Sequence, residues 1–264
     1  RAVPTPDGLL DADAVANAIR PRSPYVVQTS LVCLENTHNS AGGRVLQVER
    51  MRAVVEVARD RGVAVHLDGA RLPNAAVAAG RPMREWAELA DTVMMALSKG
   101  LGAPVGSVLA GSTELMEKAW RVRRRFGGGM RQAGLLAAAA LYGLEHHFEG
   151  LAEDHRRARR LATLAGAIPG VQVEPPETNI VMLDLSEGDP GVVLQELGRE
   201  RVWMTQFGPQ RIRAVLHRDV GDEGVETAGR ALARAVAVAV DRARPGADGR
   251  VRFELRTETS GGGI

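Results

Sequence analysis

Gly62-Val63-Ala64-Val65-His66-Leu67-Asp68-Gly69-Ala70-Arg71 and Asp91-Thr92-Val93-Met94-Met95-Ala96-Leu97-Ser98-Lys99-Gly100 decide the fold. Each is a short apolar run that ends in a charged side chain and a glycine. Runs of this length, unbroken by polar alternation and separated by helical sequence, fit parallel strands covered on both faces. Ligand-binding side chains in such sheets gather at the carboxyl ends of the strands. Asp68 and Lys99 both fall there. One intervening helix, at about Met83 to Leu89, brings the two strand ends together, so that a carboxylate and an amine face one crevice.

Lys99 is informative for a second reason. Of 34 basic residues only Lys99 and Lys118 are lysines; the rest are arginines. A chain that uses arginine wherever it needs positive charge keeps a lysine where arginine fails. A lysine amine can lose its proton and attack a carbonyl, which a guanidinium cannot. By position alone Lys99 is equally a strand-end lysine reaching solvent. The Asp68–Lys99 pairing has two readings as well. It is a plain ion pair, or it is the pair of anchors for pyridoxal phosphate, with the lysine on the aldehyde and the carboxylate on the pyridine nitrogen.

The surrounding sequence favours the second reading by resemblance. Leu34-Glu35-Asn36-Thr37-His38-Asn39, Gly42-Gly43, His66 to Leu72 with Asn74-Ala75, Leu97 to Ser107 and Gly127-Gly128-Gly129-Met130-Arg131-Gln132 together resemble the low-specificity L-threonine aldolases. The resemblance runs from about Pro4 to about Val240. It implies an α/β fold, the pyridoxal-phosphate-dependent transferase fold type I, with a mainly parallel sheet flanked by helices plus a small C-terminal α/β domain. The expected division is 1–150 for the large cofactor domain, 151–244 for the small domain and 245–264 for an irregular tail.

The resemblance also implies roles. Lys99 is the imine-forming lysine and Asp68 the partner of the pyridine nitrogen. Arg71 and Arg213 hold the substrate carboxylate; a planar fork suits that task, and an inward-facing arginine in a strand needs an anionic partner. Ser98, Arg131, His38 and Glu35 are expected in the cofactor pocket. For Arg131 the argument is the helix N-terminus after the glycines. For Ser98 the structural alternative is a turn hydroxyl; for His38 and Glu35 it is a hydrogen-bonding role in the loop. His66 reads as a satisfied core histidine. The implied reaction is retro-aldol cleavage of L-threonine or L-allo-threonine to glycine and acetaldehyde, with other β-hydroxy-α-amino acids accepted. The alternatives are another fold-type-I enzyme, either a β-eliminating lyase or an aminotransferase, and an inactive remnant serving as a packing or dimerisation partner.

Family members carry, ahead of the matching region, a Gly/Ser/Thr-rich turn for the cofactor phosphate and a histidine that stacks on the ring. Neither precedes Pro4 here, and there is no initiator Met. The expectation is a truncated chain with weakened cofactor affinity, an uncovered apolar sheet face and no activity on its own.

Composition bounds the rest. A chain of 264 residues with 45% apolar content can bury a sizeable core. Arg121 to Arg125 and Arg156 to Arg160 look like nucleic-acid patches. Aromatic residues make up only 3%, too few for base stacking, and 32 acidic residues offset the basic ones, so solvated helix faces are the better reading. Cys33 is the single cysteine, which excludes an internal disulfide and cysteine-based zinc motifs. His146 and His147 are adjacent on a helix and diverge, so no metal site is expected. No run reaches the length of a membrane span. The expected setting is cytoplasmic, without membrane or nucleic-acid partners, as a homodimer or homotetramer.

Overall fold

The computed structural model describes residues 1–243; the expected tail at 245–264 lies outside the described residues. The first half is built on a four-stranded sheet. Asp11 opens α1 (Ala12–Ala18) by accepting the Ala14 N–H at 2.7 Å, the usual way to satisfy a free helix-start donor. Then follow β1 (Leu31–Glu35), α2 (Val48–Asp60), β2 (Ala64–Asp68), α3 (Leu72–Ala79), α4 (Arg84–Ala87), β3 (Thr92–Ala96) and β4 (Ser107–Gly111). The strands lie in the order β1-β2-β3-β4; the first two pairings are parallel and β4 runs antiparallel to β3. α5 (Thr113–Arg125) and α6 (Gly134–His146) complete this half.

The second half starts at α7 (Leu151–Gly166) and continues through β5 (Val171–Val173), β6 (Ile180–Leu185), α8 (Pro190–Arg199), β7 (Thr205–Gln206), β8 (Arg211–Val215) and α9 (Asp222–Ala243). Its sheet is antiparallel throughout, in the order β5-β6-β8-β7. Each sheet has its own core. Val54, Val65, Leu67 and Trp86 lie in the first, and Leu183, Leu197, Ile212 and Leu232 in the second.

Three expectations need correction. The apolar run Val26 to Leu34 predicts a strand of that length, but β1 begins only at Leu31, because β2 offers a partner only from Ala64, opposite it; Tyr25 and Val27 stand in solvent. Two helices, not one, separate β2 from β3. The first of them, α3, was hidden in the Leu72–Ala79 segment, which has Pro73 in its first turn and the left-handed Gly80 as its stop. The helix after the triple glycine begins at Gly134 rather than Arg131. The two-residue β7 carries too short a pattern to read.

The flank beyond β3 is open. All five residues of β4 are exposed and α5 buries none. Val105, Leu109, Trp120 and Met130 line an apolar groove of about 780 Å³ there. The second arginine run is ion-paired instead: Arg156 and Arg157 with Asp222, and Arg160 with Glu226.

Candidate active site

Parallel pairing puts Glu35 beside Asp68 at the carboxyl ends of β1 and β2. Asp68 Oδ1 accepts the Ala70 N–H at 3.0 Å, which commits one carboxylate oxygen and fixes the side chain. Gly69 follows because the chain passes close to β3: its N–H donates to the Met94 carbonyl at 2.8 Å, and a Cβ there would lie 2.6 Å from that same oxygen. The turn delivers Arg71, half-buried, to the start of α3. Beyond β3 a second turn presents Ser98 and Lys99, both exposed. Gly102, at φ +74°, closes it by donating to the Lys99 carbonyl at 2.9 Å.

The loop after β1 is held by a buried amide. Asn36 donates to the Leu46 carbonyl and accepts the Leu46 N–H, both at 3.1 Å. The Trp86 indole N–H donates to the same carbonyl at 2.6 Å. This clamp carries His38 and Asn39 over the strand ends. His38 Nε2 lies 3.7 Å from Glu35 Oε2, and Glu35 Oε1 accepts the Asn39 N–H at 3.1 Å. Asn39 Oδ1 in turn accepts a hydrogen bond from Arg213 Nη1 at 2.8 Å. Arg213 comes from β8, so the second sheet contributes to the same crevice.

The charges in this crevice act on one another. Partial burial is the main force lowering the Lys99 pKa from its ordinary value; the Arg71 cation adds to it, and Asp68 and Glu35 oppose it. Burial likewise lowers Arg71, helped by Arg213 and opposed by Glu35 and Asp68. Five of the expected residues, Lys99, Asp68, Arg71, Glu35 and Arg213, therefore form one electrostatic cluster, with His38 at its edge. Arg131 is not among the charges acting on Lys99 or Arg71; it sits exposed in the loop ahead of α6, three residues short of the helix. His66 Nδ1 pairs with the Thr92 hydroxyl at 2.8 Å, as a satisfied strand histidine should.

Sequence reasoning missed three contributors. Asn39 stands in the quoted motif, yet nothing local signals its bond to a residue 174 positions away. Phe207, whose ring lies 4.9 Å from the Arg213 guanidinium carbon, gave no signal. The third is the buried pair of Asn74 and His155, with the Asn74 amide 3.1 Å from His155 Nε2, which ties α3 to α7 beneath the Lys99 turn. Among the described residues no group of three or more histidine, cysteine or acidic side chains is placed to hold a metal, and no helix is long and apolar enough to cross a membrane.

The beta-eliminating lyase family model matches residues 1–188. The chain belongs to that family. Among the relatives of this beta-eliminating lyase homologue, low-specificity L-threonine aldolase 1 of Arabidopsis thaliana is 42% identical over 221 residues, covering 81% of this chain and 62% of its own. The low specificity L-threonine aldolase of Escherichia coli strain K12 is 39% identical over 217 residues, 82% of this chain and 63% of its own. The chain thus spans somewhat over three fifths of these relatives' length. Leishmania major threonine aldolase superposes with a TM-score of 0.75 at 21% identity, over 88% of this chain and 69% of that one. A Listeria monocytogenes structure described as a putative L-allo-threonine aldolase gives 0.72 at 22%, over 89% and 67%. The fold is fold type I of the pyridoxal-phosphate enzymes, and enzymes of this family use that cofactor.

Proposed function

We propose that this protein is a pyridoxal-phosphate-dependent aldehyde-lyase that cleaves L-threonine and L-allo-threonine to glycine and acetaldehyde and accepts other β-hydroxy-α-amino acids. The observation that carries the reading is the crevice itself. A lysine with a lowered pKa, a strand-end carboxylate with one oxygen already committed, and two arginines converge from both sheets. Among the described residues Arg213 Nε is buried without a hydrogen-bond partner. An orphaned cationic donor of that kind is costly until an anion arrives.

These residues fit the cofactor. Asp68 would hold the pyridine nitrogen protonated and Lys99 would hold the aldehyde; Ser98, His38, Glu35 and Arg131 complete the proposed pocket. Bound pyridoxal phosphate supplies an electron sink for the bond that breaks at the substrate α-carbon. The chain's own part is orientation. Arg71 and Arg213 fix the substrate carboxylate by bidentate, charge-assisted bonds. Fixing it decides which bond at the α-carbon stands in the reactive direction. The lowered Lys99 pKa keeps a larger share of the amine unprotonated near neutrality than a free lysine has.

On the same reading residues 1–150 form the large cofactor domain and 151–244 the small one. The protein works in the cytoplasm as a homodimer or homotetramer. The test is to add pyridoxal phosphate, record the visible absorbance, reduce with borohydride and map the labelled peptide. The expected label is on Lys99 and is lost in Lys99→Arg. A label on Lys118 instead, or keto-acid formation in place of acetaldehyde release from threonine, overturns the reading.

A further inference from the structure

Arg213 is held in an unusual way for a strand arginine. Arg211, two residues earlier on the same strand, pairs with Asp184 through two bonds of 2.7 Å. Among the described residues Arg213 has no such partner, and its one side-chain hydrogen bond goes to a neutral acceptor, Asn39 Oδ1. The Phe207 ring supports one face of the guanidinium, where a π-system attracts a cation without cancelling its charge. Phe207 is itself set by the hairpin between β7 and β8, its N–H donating to the Arg211 carbonyl at 2.8 Å.

Glu35, the carboxylate that holds the Asn39 backbone, is turned to other work. Glu35 Oε1 takes the Asn39 backbone N–H and Oε2 faces His38. So the carboxylate fixes the amide, and the amide fixes the arginine. We propose that Asn39 is a positioning residue that aims Arg213 at the substrate carboxylate while leaving its charge uncompensated. This rests on the reading of Arg213 as a carboxylate-binding side chain.

The chemistry explains why the acceptor is an amide. A carboxylate at position 39 would hold the guanidinium more tightly, but it would also occupy the charge that the substrate needs. An amide oxygen gives direction without competition. Asn39 also sits on the loop after β1 while Arg213 sits on β8, so the bond ties the two sheets together across the crevice.

The order of effects separates this from a structural role. If Asn39 served only to join the sheets, Asn39→Asp would keep an acceptor and be milder than Asn39→Ala. The proposal demands the reverse. Asn39→Ala is expected to raise KM for threonine about tenfold, the size of one charge-assisted hydrogen bond, with kcat within about threefold of the parent. Asn39→Asp is expected to raise KM further. Arg213→Gln is measured alongside them. A second readout needs no turnover: the Arg213 Nε–H resonance in protein labelled with nitrogen-15, assigned by its loss in Arg213→Lys, should shift on adding glycine and not on adding ethanolamine, which lacks the carboxylate. In Asn39→Ala that resonance should broaden and its response to glycine weaken, while the melting temperature of each variant shows whether it is folded. A large KM effect of Arg213→Gln, with Asn39→Ala and Asn39→Asp both near the parent, overturns the positioning role alone. Asn39→Asp milder than Asn39→Ala does the same. No effect of Arg213→Gln on glycine or threonine affinity overturns the carboxylate reading beneath it.

Discussion

His155 should make the protein lose stability in mild acid. It is buried on α7, 3% exposed, and its Nε2 faces the Asn74 amide of α3 at 3.1 Å. The amide donates, so the ring nitrogen must keep its lone pair. Burial, with the Arg159 cation adding to it, pulls the imidazole from 6.5 down to about 4. The folded value lies below the unfolded one, so between those two values the unfolded chain takes up a proton that the folded chain refuses. Stability is therefore complete above the upper value and falls as pH drops through the window. The gap sets a ceiling of about 3 kcal/mol, of which about 2 kcal/mol is lost between pH 7 and pH 4.5.

Denaturant titrations at several pH values over that range measure the loss. Carboxylates elsewhere also contribute to the acid slope, so the informative quantity is the difference between the parent and His155→Gln. Glutamine keeps an acceptor for Asn74 but does not titrate. The parent should lose about 2 kcal/mol more than the variant. Identical slopes would refute the argument that a neutral ring is required at this junction. The effect should reach the site as well, because Gly100 packs between Asn74 and Leu151, where a Cβ would lie 2.6 Å from Leu151 Cδ2.

Asn36→Ala removes both bonds to Leu46 and strands a buried backbone N–H, at a cost of about 2–4 kcal/mol; unfolding followed by fluorescence reports it, since Trp86 is buried whereas Trp120 and Trp203 are exposed. Gly69→Ala sets a methyl against the Met94 carbonyl oxygen; the strand end must shift, destabilising by about 1–3 kcal/mol and weakening uptake of pyridoxal phosphate measured by absorbance. Asp7 is held at about 2 by its bonds with Arg50. Its folded value lies below the ordinary 3.8, so its contribution is present above that value and lost as pH falls through about 2; solvent screening keeps it under about 1 kcal/mol, and Arg50→Gln should flatten the acid limb of the melting curve by that amount.

The parallel part of the sheet was legible because its strands read as unbroken apolar runs that end in polar residues, although in β1 and β2 only alternate residues, Val32, Leu34, Val65 and Leu67, are buried and the expected cover on both faces is not found. The β6 strand, Ile180–Leu185, was legible for the same reason. What the pattern hid was α3. Its residues lie in the segment that also carries the site motif, and five of its eight positions are buried, so no polar face marks it as a helix. The start of α6 shows the opposite case. A glycine run followed by an alanine-rich stretch signals a helix start, but not at which residue the first turn closes, and the helix begins three residues beyond Arg131.

The gathering of charge at the strand ends follows from local sequence, because parallel register fixes which residues stand side by side. Glu35 beside Asp68 needs no long-range information once β1 and β2 are aligned. The arrangement of the second sheet against the first has no such register. It is set by Asn39 with Arg213, by Asn74 with His155, and by Gly43, where a Cβ would come within 2.5 Å of the Thr178 hydroxyl. These contacts join residues more than 80 positions apart. Each is made by a small or neutral polar side chain whose sequence neighbourhood says nothing of its partner. The chemistry-bearing residues are therefore readable one by one, while the neutral residues that aim them become visible only when the two sheets are seen together.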